Sequence, residues 1–315
     1  MTREYSPIFS IIVPTYNRPS FLSEAISSVL NQSFQDFEII IIDDKSSDEN
    51  LQKVAAIASQ SEKIRLHLHS HNQGVSKARN TGISLAKGNY IHFLDDDDAI
   101  EEEFLASAER ILSNQGNVDV ALLYSTVHPQ SQKELFQYHV VKEALGLQPI
   151  KTTYSRDNPT LLFKLPPQIN SMVFKREVFK NNDFDVYYRF GEDLLLWLKI
   201  LKDGYRFSMK PTSGGKDKAL VRVHGEDRLS QPNNEDVIRF LDGLKRHYSE
   251  YDQSFKALIN LRLIMRYMLV QDYAKCFKLI VASAQHPFSF IGALGFQFNM
   301  KSRTFFSYMI YLIKH

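Results

Sequence analysis

Two apolar stretches in the first hundred residues end abruptly in carboxylates, and they constrain the fold more than any other feature. Residues 90–94 read Tyr-Ile-His-Phe-Leu and precede four consecutive aspartates at 95–98. Residues 38–42 read Glu-Ile-Ile-Ile-Ile and precede two aspartates at 43–44. Uninterrupted apolar runs are typical of strands covered on both faces. We therefore predict core strands that carry acidic groups to one edge of a parallel sheet, where ligands of such sheets bind.

The run of four carboxylates has two interpretations. Adjacent like charges raise one another's pKa values unless a cation or hydrogen-bond donors neutralise them. A divalent ion such as Mg²⁺ or Mn²⁺ meets that need, because it prefers oxygen ligands and shares them with substrate phosphates. A solvated acidic turn that caps the next helix is the alternative. The aspartates alone leave both interpretations open.

Composition narrows the class of protein. A chain of 315 residues with 43% hydrophobic and 23% charged residues is long enough for one large domain and an appendage, or for two domains. The 38 Lys and Arg nearly balance 36 Asp and Glu, which argues against a dedicated nucleic-acid binder. The only cysteine is Cys276, and the N-terminus lacks the apolar core of a signal peptide. We expect a protein of a reducing compartment, located in the cytoplasm.

Strand-like and helix-like stretches alternate over the first 125 residues. This alternation predicts an α/β fold with a doubly wound, mainly parallel sheet. The predicted strands cover residues 9–13, 38–42, 64–69, 90–94 and 118–124. Helical spacing of apolar residues is found at 22–30, 51–58, 75–86 and 100–112.

The remainder of the chain is less regular. Residues 126–168 are polar and rich in proline, and we interpret them as an excursion or lid over the site. A strand at 170–174, a helix at 193–201 and a strand at 219–224 follow. From about residue 235 the chain turns helical, at 255–270, 273–284 and 305–313. We predict one domain over residues 1–234 and a helical region over 235–315.

The last part of the chain has no apolar stretch long enough to cross a bilayer. It either covers the core of the first domain or makes a peripheral contact with the cytoplasmic face of a membrane. Packing is the commoner explanation of such a sequence.

Several polar groups have plain structural explanations. His67, His69 and His71 resemble a metal cluster, but the first two occupy the polar phase of an alternating strand. Glutamates at 101–103 suit the first turn of a helix. Glu192 and Asp193 likewise suit a helix N-terminus, so position alone does not make them functional.

Six short stretches occur in the order and spacing of a known family. They are residues 12–17 (Ile-Val-Pro-Thr-Tyr-Asn), 42–44 (Ile-Asp-Asp), 74–80, 93–98 (Phe-Leu-Asp-Asp-Asp-Asp), 191–193 (Gly-Glu-Asp) and 222–224 (Arg-Val-His). The chain resembles the family 2 inverting glycosyltransferases over roughly residues 8–230. The resemblance implies the GT-A fold and a nucleotide-diphosphate sugar, a UDP-sugar here, as donor.

The resemblance also implies a donor site. Its candidate residues are Pro14, Thr15, Tyr16, Asn17, Asp44, Arg79, Asp95 and Asp96. In similar enzymes the turn after the first strand lines the base pocket, so that Tyr16 stacks on the ring and Asp44 accepts a hydrogen bond from a uracil-like imide. Arg79 either approaches the diphosphate or forms a salt bridge.

Metal ligands and a base are implied in the same way. Asp97 matches the direct ligand of Mn²⁺ or Mg²⁺, Asp95 lies nearer the ribose or a metal-bound water, and His224 completes the metal or diphosphate site. Asp193 matches the catalytic base that deprotonates the acceptor hydroxyl, with Glu192 orienting the acceptor. The metal absorbs negative charge on the departing diphosphate.

Two departures from the family pattern stand out. Lys45 stands where the family commonly has glycine after the paired aspartates, so we expect the turn and its contact with the nucleotide to differ from those of the family. Asp96 replaces a small residue and either tightens metal binding or faces solvent.

The implied function is sugar transfer to a glycan or lipid-linked acceptor, in the synthesis of a surface polysaccharide. A sugar nucleotidyltransferase is an alternative, but such enzymes cradle phosphate in a glycine-rich loop, and residues 14–19 contain no glycine. A noncatalytic nucleotide-sugar binder is a further alternative, against which the presence of Asp97, Asp193 and His224 counts.

Overall fold

The computed structural model of the protein describes residues 6–114, 118–127, 167–209, 216–222, 233–247 and 253–284. These residues divide into two compact units, the first containing the described residues up to 222 and the second those from 233 onward. The helix predicted over 305–313 lies outside the described residues. So does the excursion predicted over 126–168, apart from its first two and last two residues.

A seven-stranded sheet forms the centre of the first unit, and a smaller sheet lies beside it. The strands are β1 (Phe9–Thr15), β2 (Phe37–Asp43), β3 (Ile64–Leu68), β4 (Tyr90–Phe93), β5 (Ala99–Ile100), β6 (Val120–Leu122), β7 (Ser125–Val127), β8 (Met172–Lys175), β9 (Phe207–Met209) and β10 (Ala219–Val221). The large sheet has the order β3-β2-β1-β4-β8-β6-β9. Only β8 runs antiparallel to its neighbours, so the mainly parallel sheet is confirmed.

Helices make the crossovers that parallel neighbours require. The helices of the first unit are α1 (Pro19–Leu30), α2 (Asp48–Ala58), α3 (Val75–Leu85), α4 (Phe104–Asn114) and α5 (Glu192–Lys202). Proline suits the first position of α1, because its fixed φ is already helical. The buried residues of α1 are Leu22, Ala25, Ile26 and Val29, as the apolar spacing predicts.

The central strands are fully covered. Every residue of β1 and β2 is buried, which explains why their sequences are continuous apolar runs rather than alternating ones. Helix α3 packs closely on β1 at Gly82, where an added Cβ would lie 2.3 Å from Cγ2 of Ile12. Because β1 pairs in parallel with both β2 and β4, the carboxyl ends of the three strands lie at one edge of the sheet.

The smaller sheet has the order β5-β10-β7 and directly follows the four aspartates. The prediction that Ile100 opens a helix with glutamates in its first turn is wrong, because α4 begins at Phe104. The chain is extended at Ala99 and Ile100 and then turns at Glu102 and Glu103. The backbone N–H groups of Glu101 and Glu103 donate to the carbonyls of Lys218 (2.9 Å) and Lys216 (2.7 Å). Pairing with β10 holds this segment.

The described residues of the second unit are helical, in agreement with the helices predicted at 255–270 and 273–284. The unit contains α6 (Asn234–His247), α7 (Gln253–Leu269) and α8 (Tyr273–Ala284). Helix α7 contacts both others: Tyr267 donates to Asp242 of α6 (2.9 Å), and Asn260 donates to Ser283 of α8 (3.3 Å). Among the helices that the structure describes, none has the length and hydropathy needed to cross a membrane.

Candidate active site

The four aspartates form a turn at the carboxyl edge of the large sheet. The N–H of Asp98 donates to the carbonyl of Asp95 (3.1 Å), which closes the turn. Asp96 and Asp98 are buried, with 6% and 7% of their surface exposed. The side chains of Asp95 and Asp97 are 33% and 19% exposed. Alternate carboxylates therefore point into the protein and toward solvent.

Asp96 joins the acidic turn to the end of β1. Its carboxylate accepts from the hydroxyl of Thr15 (2.7 Å) and from Nη1 of Arg18 (3.4 Å). Burial and, to a lesser extent, the charge of Asp97 together raise the pKa of Asp96 to about 7, against the opposing effects of Thr15 and Arg18. Of the two alternatives for this extra carboxylate, exposure to solvent is therefore wrong.

Asp98 fixes the other side of the turn. It accepts from Nδ2 of Asn170 (2.5 Å) and from the backbone N–H of Arg222 (2.8 Å). Burial raises the pKa of Asp98 well above its ordinary value, and Asp95 and Asp97 add to this effect. Asn170 belongs to a 3₁₀ turn, Ile169–Ser171, just before β8. Asp98 is therefore a structural link between the turn, this segment and β10.

Two arginines brace the partly buried Asp97. Nη1 of Arg18 donates to its carboxylate (2.8 Å), and Nε of Arg222 donates to its carbonyl (3.0 Å). Arg222 also donates to Glu24, and both guanidinium groups lie over the ring of Phe21, at 6.0 Å for Arg18 and 5.0 Å for Arg222. Sequence analysis missed Arg18 and Arg222 as site residues, although each lies in or beside a stretch that carries the resemblance.

Arg79 connects the acidic turn to the start of α5. This residue is 4% exposed, and it donates from Nη2 to Asp95 (2.7 Å) and from Nη1 to Glu192 (3.0 Å). Its guanidinium lies 5.3 Å from the ring centre of Phe184. Burial disfavours the charge, but Asp95 and Glu192 outweigh it, so the pKa of Arg79 is raised. Of the two predicted alternatives for Arg79, the salt bridge is the one observed.

Glu192 and Asp193 form the first turn of α5, after Gly191 in the left-handed conformation (φ 74°). Asp193 accepts from the N–H of Leu194 (2.7 Å). Burial raises the pKa of Glu192 to about 7, helped by Asp193 and opposed by Arg79. Burial also raises the pKa of Asp193, against Arg79 and the Leu194 N–H. Both carboxylates are therefore more basic than ordinary ones.

Asp44 lies at the end of β2 and is 4% exposed. It accepts from the N–H groups of Gln73 (2.9 Å) and Gly74 (2.7 Å), at the start of α3, and from Nδ1 of His69 (2.8 Å). Nε2 of His69 lies 3.0 Å from the hydroxyl of Thr81. His69 thus has a buried structural role that its strand-like position did not indicate.

The turn after β1 contributes the other predicted donor residues. Pro14 is buried within β1, opposite Ile42 in register, whereas the ring of Tyr16 is 42% exposed at the edge of the sheet. Asn17 has φ 57°, and its side chain accepts from the N–H of Ser47 (2.7 Å). An exposed aromatic ring on a braced turn is suited to stacking against a nucleobase.

Lys45, at the position where the family commonly has glycine, has a backbone conformation that glycine adopts readily. Its φ is 71°, in the left-handed region that L-residues seldom adopt. The N–H of Ser46 donates to Asp43 (2.9 Å), and the hydroxyl of Ser46 accepts from the N–H of Asn17 (2.8 Å). The turn is therefore held from both sides despite the substitution.

The carboxylate oxygens of the acidic turn are the type of ligand that a hard divalent cation prefers, although they do not form a complete metal site by themselves. No group of three His, Cys, Asp or Glu side chains in the described residues is arranged to hold a metal. The accessible carboxylates are those of Asp95 and Asp97, and Mg²⁺ is commonly held by one or two carboxylates plus substrate phosphates. His224, the third predicted ligand, lies outside the described residues. His67, His69 and His71 do not form a metal site.

Relatives of known sequence resemble the chain over most of its length. An uncharacterized glycosyltransferase of Rickettsia felis is 30% identical over 233 residues, covering 72% of this chain and 35% of that protein. The GalNAc(5)-diNAcBac-PP-undecaprenol beta-1,3-glucosyltransferase of Campylobacter jejuni is 31% identical, covering 62% and 60%. The UDP-Glc:alpha-D-GlcNAc-diphosphoundecaprenol beta-1,3-glucosyltransferase WfgD of Escherichia coli is 30% identical, covering 68% and 83%. The chain spans about a third of the Rickettsia protein's length.

Solved structures share the fold, and a family model matches the chain. S. aureus TarS in complex with UDP-GlcNAc aligns with a TM-score of 0.59 at 21% identity, over 94% of this chain and 82% of that one. The mannosyltransferase PcManGT of Pyrobaculum calidifontis, in complex with GDP-Man and Mn²⁺, aligns at 0.57 with 19% identity, over 98% and 86%. The fold is GT-A, as the resemblance implied. Because the model of glycosyl transferase family 2 matches residues 10–181, more than half of the chain, the protein belongs to that family.

Proposed function

We propose that the protein is a metal-dependent inverting glycosyltransferase that moves a sugar from a UDP-sugar to a hydroxyl of a lipid-linked glycan. One observation carries this proposal: Arg79 is paired with Asp95 in the acidic turn and with Glu192 in the first turn of α5. The buried guanidinium of Arg79 thus connects Asp95, on the side proposed for the sugar donor, to Glu192, on the side proposed for the acceptor.

On the donor side, Asp97 and Asp95 are the residues that would hold Mn²⁺ or Mg²⁺, with His224 as a third candidate. The cation would neutralise charge that develops on the departing diphosphate. Arg18, 2.8 Å from Asp97, keeps that carboxylate oriented. The buried Asp98 supports the turn, and Asp96, which accepts a hydrogen bond from Thr15, remains a candidate donor-site residue.

At the base pocket, Tyr16 stacks on the nucleobase and Asp44 receives the imide N–H. Asp44 already accepts three hydrogen bonds, yet a carboxylate has about four acceptor positions, so one more bond is available. We favour uracil because it presents one imide N–H to such a group.

On the acceptor side, Asp193 is the general base and Glu192 orients the acceptor. An inverting transfer requires a base that removes the hydroxyl proton as the oxygen attacks the anomeric carbon. The raised pKa of Asp193 makes it a better proton acceptor than an ordinary aspartate. Its bond from the Leu194 N–H holds one oxygen of the carboxylate in place.

The acceptor class follows from relatives named for transfer to undecaprenol-linked glycans. We therefore propose that the acceptor is a glycan on a lipid diphosphate, that the product enters a surface polysaccharide, and that the reaction takes place in the cytoplasm. Sugar identity and linkage are set by contacts to individual hydroxyl groups.

The test is acceptor-dependent release of nucleoside diphosphate from a panel of nucleotide sugars, with Mn²⁺, Mg²⁺ or a chelator. We expect release from a UDP-sugar that requires both the cation and a lipid-diphosphate glycan, and a loss of about 100-fold or more in Asp97→Ala. The matched control is Asp183→Asn, which changes an exposed carboxylate paired with Lys199. Full activity of Asp97→Ala, or of the wild type in chelator, would exclude the metal role.

A further inference from the structure

Exposed apolar side chains are concentrated in one short segment of the second unit. Among the described residues, ten large hydrophobic side chains are exposed, and five of them lie between residues 269 and 280. They are Leu269 (48%), Val270 (40%), Tyr273 (65%), Phe277 (70%) and Ile280 (47%). Isolated exposed hydrophobic residues are normal, whereas a contiguous group of them marks an interaction surface.

Three of these residues form one face of α8. Tyr273, Phe277 and Ile280 are spaced by four and then three residues, so they lie along one side of the helix. We call this set the outer face of α8. It has no role in holding α8 to its neighbour, because a different stripe does that.

The packed stripe of α8 consists of Cys276, Leu279 and Ser283, which are between 5% and 8% exposed. Cys276 contacts the carbonyl of Ile264 (3.5 Å), and Ser283 accepts from Asn260 (3.3 Å). Helix α8 is therefore anchored on α7 by this stripe, which leaves the outer face available to a partner.

Charge indicates which partner. Lys275 and Lys278 are exposed on α8 beside the outer face. In the whole sequence, residues 227–315 contain 12 Lys and Arg against 7 Asp and Glu, a net charge of +5. Residues 1–226 contain 26 against 29, a net charge of −3. The apolar face thus lies in the cationic part of a chain that is otherwise slightly acidic.

We propose that the outer face of α8 docks on the surface of an anionic phospholipid bilayer. Aromatic and aliphatic side chains on one face with lysines beside them are the features of a helix that lies in the lipid interface. Lysines near the surface add attraction to anionic headgroups. This contact is independent of catalysis, and it would hold the enzyme at the surface that carries the lipid-linked acceptor proposed above.

The experiment is co-sedimentation of the full chain with vesicles of phosphatidylglycerol and phosphatidylcholine, compared with vesicles of phosphatidylcholine alone. We expect binding to the anionic vesicles, weakened by salt. Phe277→Asp and Ile280→Asp should each lower the partition coefficient about tenfold or more, since each removes apolar burial and adds a repelled charge. Phe277→Ser serves if the aspartate variant does not fold. Val186→Asp, at an apolar side chain 59% exposed in the first unit, is the matched control and should bind like the wild type.

Other occupants of the face give different results. A wild type that stays in the supernatant, or one that sediments no better than Phe277→Asp, overturns the proposal. If the wild type instead dimerises in ultracentrifugation and Phe277→Asp is monomeric, the face joins two copies. If Phe277→Asp lowers the melting temperature and the wild type binds no vesicles, residues 285–315 cover the face. Each of these two outcomes also overturns it.

Discussion

Arg79 and Asp95 form an ion pair of 2.7 Å in which the arginine is almost fully buried and the carboxylate is one-third exposed. The other terminal nitrogen of Arg79 binds Glu192, so one guanidinium sets the distance between the acidic turn and α5. The planar fork of arginine suits two carboxylates at once, whereas lysine is a point charge.

Arg79→Lys should therefore keep the fold but lower transfer by about 100-fold, because a small misplacement of groups at the site is costly. Arg79→Met should lower the free energy of unfolding by about 1–3 kcal/mol, since it leaves the partly buried Glu192 and the one-third exposed Asp95 without their cation. Urea unfolding and initial rates measure both effects. Arg65→Lys, at an arginine that is 39% exposed, keeps the charge beside the buried Glu38; it is the control and should cost less than about 1 kcal/mol. If Arg79→Lys and Arg65→Lys changed the rate of transfer and the free energy of unfolding equally, Arg79 would have no special role in connecting the acidic turn to α5.

Asp98→Ala should act on stability rather than directly on chemistry. The change leaves Nδ2 of Asn170 and the N–H of Arg222 without their acceptor. We expect a loss of about 1–3 kcal/mol in the free energy of unfolding for the unsatisfied groups. Asp97→Ala, at the less buried neighbour, should change stability much less. An Asp98→Ala protein with unchanged stability would contradict the structural role of this carboxylate.

Lys45→Gly should stabilise the protein. Lysine at φ 71° costs about 1–2 kcal/mol of backbone strain, which glycine avoids. Glycine loses more conformational entropy on folding, and this loss cancels part of the gain. We expect a net gain of about 0.5–1 kcal/mol in urea unfolding. Lys45→Ala removes the same side chain but keeps the strain, so it should leave stability nearly unchanged. A gain of equal size in both variants would instead implicate the charge of Lys45.

His92 should make the fold sensitive to acid. It is fully buried in β4, its Nδ1 donates to the Met172 carbonyl (2.9 Å), and its Nε2 has no hydrogen-bond partner among the residues that the structure describes. Burial lowers its pKa from 6.5 to about 4, although Met172 and Asp95 oppose the shift. Between these pH values the unfolded chain binds a proton that the folded protein does not, so stability falls as pH falls from 6.5 to 4.

The measurement is the difference in free energy of unfolding between wild type and His92→Gln as a function of pH. The difference should be constant above pH 6.5. By pH 4 the wild type should have lost about 3 kcal/mol of stability relative to His92→Gln, at about 1.4 kcal/mol per pKa unit. Asp96 and Glu192 titrate in both proteins and cancel. A difference that does not change with pH would mean that His92 is not buried in its neutral form.

The first half of the fold was predictable because strands covered on both faces have a simple pattern. The apolar runs of β1, β2 and β4 and the helical spacing of α1 needed no tertiary information. Strand β5 was not predictable, since two residues, Ala99 and Ile100, are too few to show a period. The pairing partner that keeps them extended is more than a hundred residues away in sequence.

The site was predictable in residue type but not in arrangement. The sequence predicted that acidic groups collect at one edge, yet it did not separate the partly buried Asp97 from the buried Asp98. That division depends on Asn170 and Arg222, which are distant in sequence and lie in no recognisable pattern with the aspartates. The same holds for Arg79 and Glu192, which are 113 residues apart.

The most direct test of the account concerns Asp193, because the function proposed requires a base there. Asp193→Asn should bind the UDP-sugar donor as the wild type does, shown by an equal thermal shift with Mn²⁺, since the amide cannot affect a donor held by the acidic turn. Its rate of transfer to the lipid-linked acceptor should fall by about 10²–10⁴-fold. Transfer by Asp193→Asn at the rate of the wild type would contradict the assignment of the base and, with it, the proposed division of the site.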